Sequence, residues 1–248
     1  MNGETVTRGD HLLQVGDRVE VGRRDDGTAQ TPTHPAFTTL HADADLIAID
    51  KPAGLLSVST DRQRPRTALA LLRDALSLPG RPARLWPVHR LDRETSGVLL
   101  FARSHDMLER LQTSWTGAEK IYLAIVDGCP EPGDGTIDQP LWEDRSLNVH
   151  VGRRPGARDA CTRYRTRKRG RQRTLLEIEL VTGRRHQIRS HLSWLGHPVV
   201  GDRRYGTAGP RLGLHARLLS FIHPRSGSRL VIEAPSPRPF LALLDGRR

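Results

Sequence analysis

Asp92 stands between two arginines, Arg90 and Arg93, directly before a Thr-Ser-Gly turn at residues 95–97 and the apolar run VLLFA at residues 98–102. This spacing sets a carboxylate at the mouth of a rigid strand, with positive neighbours that keep it ionised. An ionised carboxylate held in place can act as a nucleophile or a general base. On charge spacing alone, a surface salt bridge beside a turn is the commoner use of such residues. Tyr122, inside IYLAIV (residues 121–126), carries a phenol that could move a proton, although a strand tyrosine is more often a core aromatic. Arg189 would by itself be a solvated helix charge. Ile188 shares an apolar stripe with Leu192 and Leu195, so packing alone accounts for it. Other chemistries find no support. Cys129 and Cys161 provide neither a disulfide framework nor zinc spacing, and the eleven histidines form no HExxH pattern. His186 and His191, five apart, would fall on different faces of a helix. No metal is expected, and no glycine pattern of a dinucleotide or P-loop site is present.

The elements that must position these side chains are legible in outline. A buried strand is expected at residues 45–50, running into the turn KPAG (51–54). Thr67 opens a helix that ends by Pro79-Gly80, and Ser104 caps another that reaches about Trp115, with Met107, Leu108 and Leu111 inward. Strands are expected at 98–102, 121–126 and 229–234. Segments 162–167 and 174–180 flank the basic turn KRGRQR (168–173) as a hairpin, and Leu176, Ile178 and Leu180 alternate onto one face. A helix is expected over 185–195 with Gly196 past its end, and a helical turn over 240–244. Strands and helices mix without a βαβ rhythm, which implies an α+β fold with a mainly antiparallel mixed sheet and flanking helices.

The N-terminal stretch differs in character. Residues 1–21 read as short strands and turns, with a strand at 18–21, and the polar, proline-containing stretch 23–35 reads as a linker. The composition is 39 Lys+Arg against 28 Asp+Glu, a formal net charge of +11. Three of the cations are lysines (Lys51, Lys120 and Lys168) and 36 are arginines. Codon bias can favour arginine over lysine, but it does not create net charge. An excess of cations favours a polyanionic partner through release of counterions from phosphates. No apolar run approaches the roughly 18 residues of a membrane span. The first ten residues lack the layout of a secretion signal. A cytoplasmic protein is expected, with no membrane partner.

The full string HRLDRETSGVLLFA (89–102) closely resembles the signature of the RluA-like RNA pseudouridine synthases. Four further stretches resemble that family in its own order: KPAGLLSV (51–58), EKIYLAIVDG (119–128), TGRRHQIRSHLSWLGHPVVGDRRYG (182–206) and LGLHARLLSFIHP (212–224). The resemblance implies roles residue by residue. Asp92 matches the catalytic carboxylate, Tyr122 the tyrosine that packs against the target uracil and can act as a base, and Arg189 the arginine that pairs with the catalytic aspartate. Arg90 matches the residue that enters the RNA stack when the uridine leaves it, and Ile188 the apolar border of the base. His89, Arg184 and Gln187 are further expected substrate-binding positions within the same motifs.

The implied fold is that of the pseudouridine synthases. The implied partner is ribosomal or transfer RNA, with no DNA and no cofactor, and a monomer is expected. Arg185 departs from the family pattern, which more often has a small hydroxyl residue there, and it is expected to touch RNA phosphate. Residues 1–22 resemble only the last part of a small S4-like RNA-binding domain, which leaves residues 36–248 as the catalytic domain. A non-catalytic RNA-binding or ribosome-assembly factor of the same fold is the alternative. The intact trio Asp92, Tyr122 and Arg189 argues against it. A DNA-binding regulator would need a helix-turn-helix or zinc pattern that is not found here.

Overall fold

A computed structural model describes residues 31–59 and 66–245. The expected N-terminal segment (1–22) and residues 23–30 of the expected linker lie outside the described residues. The chain then runs through β1 (Thr38–Ala42), β2 (Leu46–Lys51), α1 (Ala68–Leu76), β3 (Trp86–Pro87), β4 (Ser96–Ala102), α2 (His105–Ser114), β5 (Glu119–Asp127) and β6 (Asp134–Asp138). It continues through β7 (Leu141–Glu143), β8 (Val149–Val151), β9 (Cys161–Arg169), β10 (Arg173–Leu180), α3 (Gln187–Trp194), β11 (Leu214–Ile222), β12 (Arg229–Glu233) and α4 (Arg238–Leu241).

Ten strands form one sheet in the order β1-β2-β4-β11-β5-β10-β9-β6, with β12 added on β11 and β3 on β4, while β7 and β8 pair separately. The β4–β11 pair is parallel, and the other pairs described are antiparallel. This is the α+β architecture read from the sequence.

The central strands are apolar on both faces because both faces are covered. Ile47, Ile49, Leu99 and Phe101 pack with Leu71 and Leu72 of α1 and with Ile188 and Leu192 of α3. Their neighbours Leu46, Ala48, Val98 and Leu100 pack on the other face with Met107 and Leu111 of α2. The helices start where side-chain oxygens answer free backbone donors: Thr67 Oγ1 accepts from Ala70 N–H and Ser104 Oγ from Met107 N–H, each at 3.1 Å. Among the described residues, no helix is long and apolar enough to cross a membrane.

Two features position the site. β11 enters the sheet between β4 and β5, so Gly97, Ala216, Tyr122 and Ile178 form one row across four strands. Gly97 has φ +113°, and a Cβ there would lie 2.1 Å from the Ala216 carbonyl oxygen, so this crossing requires glycine. The second feature corrects the expected helix at 185–195, which begins only at Gln187. His186 takes a left-handed backbone (φ +50°, ψ +18°) that ends any helical path through Arg185. The Gln187 side-chain oxygen accepts from Arg184 N–H at 3.0 Å and from Thr182 Oγ1 at 2.8 Å. Those bonds hold the preceding residues as a loop.

Candidate active site

Asp92 lies on the loop between β3 and β4, and the turn after β2 laces that loop from both sides. Ser57 Oγ donates to Leu91 O at 2.7 Å and accepts from Leu91 N–H at 3.1 Å. Gly54 N–H donates to Arg93 O at 2.9 Å, and Arg93 Nε returns a bond to Gly54 O at 3.1 Å. Lys51, wholly buried, donates from Nζ to the carbonyls of Pro52, Leu55 and Arg93 at 2.9, 2.7 and 3.1 Å. Burial pulls its ammonium down to about 8, against the charges of Glu94, Asp92 and Asp50. The residues on either side of Asp92 are thus anchored, and its carboxylate is aimed by the backbone.

Arg189 reaches this carboxylate from α3. Its Nη1 donates to Asp92 Oδ2 at 2.9 Å, while Nε and Nη2 donate to Asp202 at 2.7 and 2.8 Å. The Asp92 side chain is 28% exposed, whereas that of Asp202 is fully buried. Burial raises the Asp202 carboxyl, but the hydrogen bonds and charge of Arg189 outweigh it, and the net shift is downward. For Arg189, desolvation is likewise outweighed by Asp202 and Asp92, so the guanidinium titrates above its ordinary range. The flanking Arg90 and Arg93 do not take this part: Arg90 is exposed, and Arg93 faces Gly54 and Glu94.

A cleft opens over Asp92 and is lined by Tyr122, Ile188, Arg189, Arg90, Arg184 and His186 among others. Tyr122 and Ile188 are buried and belong to the core on this face of the sheet. Burial first, and the Asp92 charge second, push the Tyr122 phenol well above its ordinary range, so it is a neutral hydroxyl at rest. Gly183 and Arg184 also line a second cleft, bordered by Trp142, Arg158 and Arg185. The polar site therefore continues into a basic groove, and the guanidiniums there suit a phosphate backbone.

Two expected substrate contacts are placed differently. His89 does not line the cleft: its ring stacks on Trp115 at 5.7 Å, and Nε2 accepts from Leu100 N–H at 3.2 Å. Gln187 borders the cleft, but its amide is saturated within the protein. It accepts from Thr182 and Arg184 and donates to Cys161 O and Thr162 Oγ1, both at 3.0 Å. Both residues thus brace the frame of the site. Arg185 lies in the loop before α3, not on the helix, and its Nη1 is 3.5 Å from Glu143 Oε2.

Sequence reasoning gave no role to Asp202, His186, Tyr205 or Lys51, although all four lie inside the quoted motifs. Among the described residues, the grouping with potential metal ligands close together is Asp43, Asp45 and His223. Asp45 is already ion-paired with Arg225, and Asp43 is hydrogen-bonded to His41.

The cleft thus brings together an anchored carboxylate, a paired arginine and a buried tyrosine beside a basic groove. A family model described as RNA pseudouridylate synthase matches residues 45–194. An RNA pseudouridine synthase of Bacillus subtilis, YhcT, is 33% identical over 96% of this chain and 81% of its own length. Ribosomal large subunit pseudouridine synthase D of Xanthomonas campestris is 36% identical over 100% of this chain and 80% of its own length. The solved human RNA pseudouridylate synthase domain containing 4 superposes with a TM-score of 0.68 at 27% identity, covering 82% of this chain and 90% of that one. The chain belongs to the RNA pseudouridylate synthases, in their RluA-like branch, and is an isomerase acting on uridine in RNA.

Proposed function

We propose that this enzyme converts specific uridines of ribosomal RNA to pseudouridine, with Asp92 as the catalytic carboxylate. The observation that carries the reading is the Arg189–Asp92 pair at 2.9 Å on the floor of a cleft walled by Tyr122 and Ile188. Ribosomal RNA is favoured over transfer RNA by the likeness to a ribosomal large subunit enzyme. On this reading the protein works in the cytoplasm as a monomer, takes part in rRNA processing, and needs neither cofactor nor metal.

The reaction is an isomerisation and needs no redox partner. The bond from uracil N1 to ribose C1′ breaks, the base turns, C5 bonds to C1′, and the C5 proton departs while N1 regains one. The uridine must first leave its stack, which costs a few kcal/mol, and on this reading Arg90, an exposed residue lining the cleft, fills the gap. Asp92 then bonds to the sugar or takes a proton from it, and either step needs the anion that Arg189 holds in position. Tyr122 and Ile188 grip the detached uracil while it turns. A neutral phenol can accept the C5 proton only by passing on its own, and Asp92 is the nearby acceptor.

The test is to map pseudouridine after incubating the protein with ribosomal and transfer RNA transcripts, after dialysis against a chelator and with RNA folding controlled. Modification at defined ribosomal sites that disappears in Asp92→Asn, with RNA binding intact, is the expected result. Modification confined to transfer RNA would overturn the choice of substrate. Turnover of Asp92→Asn within about tenfold of the parent would remove Asp92 as the catalytic group.

A further inference from the structure

His186 sits in the wall of the cleft and has no part in the scheme above. It is one of two non-glycine residues with positive φ among those described, and its side chain is only 11% exposed. Such a conformation persists where its surroundings determine it, and functional sites are where it collects. Here the ring is held at both ends. Nδ1 lies 2.8 Å from the Tyr205 hydroxyl, and Nε2 lies 3.8 Å from Asp92 Oδ1.

The next partner along favours one proton arrangement. The Tyr205 oxygen accepts from Val149 N–H at 3.2 Å, and an unprotonated Nδ1 gives the Tyr205 hydroxyl proton an acceptor at 2.8 Å. A neutral ring then carries its hydrogen on Nε2, on the side of Asp92. The two oxygens of Asp92 are not equivalent. Oδ2 is taken by Arg189, and Oδ1 is the one open to a substrate. At 3.8 Å the imidazole stands just outside hydrogen-bond distance of Oδ1, a gap of the kind that tightens when substrate closes a site.

We propose that His186 is a positioning residue for Asp92: its neutral Nε2–H orients the reactive Oδ1 toward the ribose of the extruded uridine. The proposal rests on Asp92 as the catalytic carboxylate. The groups facing the ring are Asp92 from the loop before β4, Arg189 from α3, Arg185 beside it, and Arg204 and Tyr205 from the loop after α3. Burial keeps the imidazole neutral at pH 7, with the three arginines assisting and Asp92 opposing. Protonation would set a second cation against Asp92 and weaken it as a nucleophile or base.

The experiment measures single-turnover rates against pH on a ribosomal RNA fragment that the parent modifies, with RNA affinity measured separately. His186→Asn suits the left-handed backbone and keeps a polar atom near Tyr205, but withdraws the group facing Asp92. Its rate should fall at least about tenfold with RNA affinity within about twofold, as misplacement of a reacting group predicts. His186→Gln, whose amide reaches the Nε2 position, should recover most of that loss and show an acid limb displaced to lower pH. Tyr205→Phe, which keeps the ring under Arg189 but frees the tautomer, should shift the acid limb without matching the loss in His186→Asn. Melting temperatures establish that each variant is folded, and Tyr205→Phe carries the test should His186 variants fail to fold.

An equal loss in Asn and Gln variants, a parent-like pH profile in both, or a loss confined to RNA affinity would overturn the proposal. Asp92→Asn in the same assay separates the two readings. If it turns over, the catalytic assignment fails. If it is dead while His186→Asn runs at the parent rate, only the role of His186 fails.

Discussion

Asp202 holds Arg189 by two hydrogen bonds, to Nε and Nη2, and so leaves Nη1 as the nitrogen that reaches Asp92. The fork of one guanidinium is divided between a fully buried carboxylate and a cleft-facing one. Asp202 itself is fixed by the N–H groups of Arg204 at 2.9 Å and Tyr205 at 3.1 Å. The geometry of the Arg189–Asp92 pair therefore depends on a side chain with no exposed surface of its own.

Loss of Arg189 should act on stability as well as on catalysis. Arg189→Met leaves Asp202 buried without its countercharge, a change that typically costs about 3–5 kcal/mol. Replacing both, as Arg189→Met with Asp202→Leu, should restore much of that stability and none of the activity. Urea denaturation beside the turnover assay measures the two effects. A single Arg189→Met as stable as the parent would contradict the buried-pair account. Asp202→Asn alone should lower turnover at least about tenfold, since Arg189 loses its fixed orientation.

Tyr122→Phe keeps the ring in its row beside Ala216 and Ile178 and removes only the hydroxyl. If that hydroxyl passes the C5 proton, turnover should fall about 100-fold or more, with RNA affinity little changed. A solvent isotope effect on the last step, absent in the variant, is the accompanying readout. A loss of only a few fold would leave Tyr122 as a packing surface.

Arg185 meets the groove already partnered by Glu143 at 3.5 Å. Arg185→Met should weaken RNA binding modestly and flatten the salt dependence by less than the ~0.7 expected of one full single-strand phosphate contact. Glu143→Gln frees the guanidinium and should strengthen binding and steepen that dependence. Opposite signs in the two variants, measured by titration at several salt concentrations, are the expected outcome. Equal, unchanged slopes would place Arg185 off the RNA path.

Acid should destabilise the fold through two histidines. Burial holds both His89 and His215 at about 4, below the ordinary value of 6.5. Their folded-state pKa values are depressed, so the unfolded chain takes up protons first as pH falls through 6.5. Stability is complete above that value and declines until the folded forms titrate near 4, by up to about 3 kcal/mol each. The melting temperature should drop between pH 7 and 4.5, and His89→Gln should make that drop shallower. A melting temperature flat over this range would rule the effect out.

What the sequence by itself determined was local. Apolar alternation marked β4, β5 and β10, Thr67 and Ser104 marked the starts of two helices, and ordered motifs marked Asp92, Tyr122 and Arg189 as members of one site. Each of these signals is carried within about a dozen neighbouring residues. The division of Arg189 between Asp92 and Asp202 was not local, since one partner lies 97 residues away. The place of β11 at the centre of the sheet was hidden by a register shift between Ala216 and Leu218, which breaks its alternation. His89 and Gln187 look like substrate contacts in their motifs, yet folding turns one onto Trp115 and saturates the other with protein partners. His186 and Lys51 were passed over for the converse reason. The left-handed backbone of His186 and the burial of the Lys51 ammonium among the carbonyls of Pro52, Leu55 and Arg93 are visible only in the tertiary structure, because Arg93 and Asp92 are brought to these residues from distant parts of the chain.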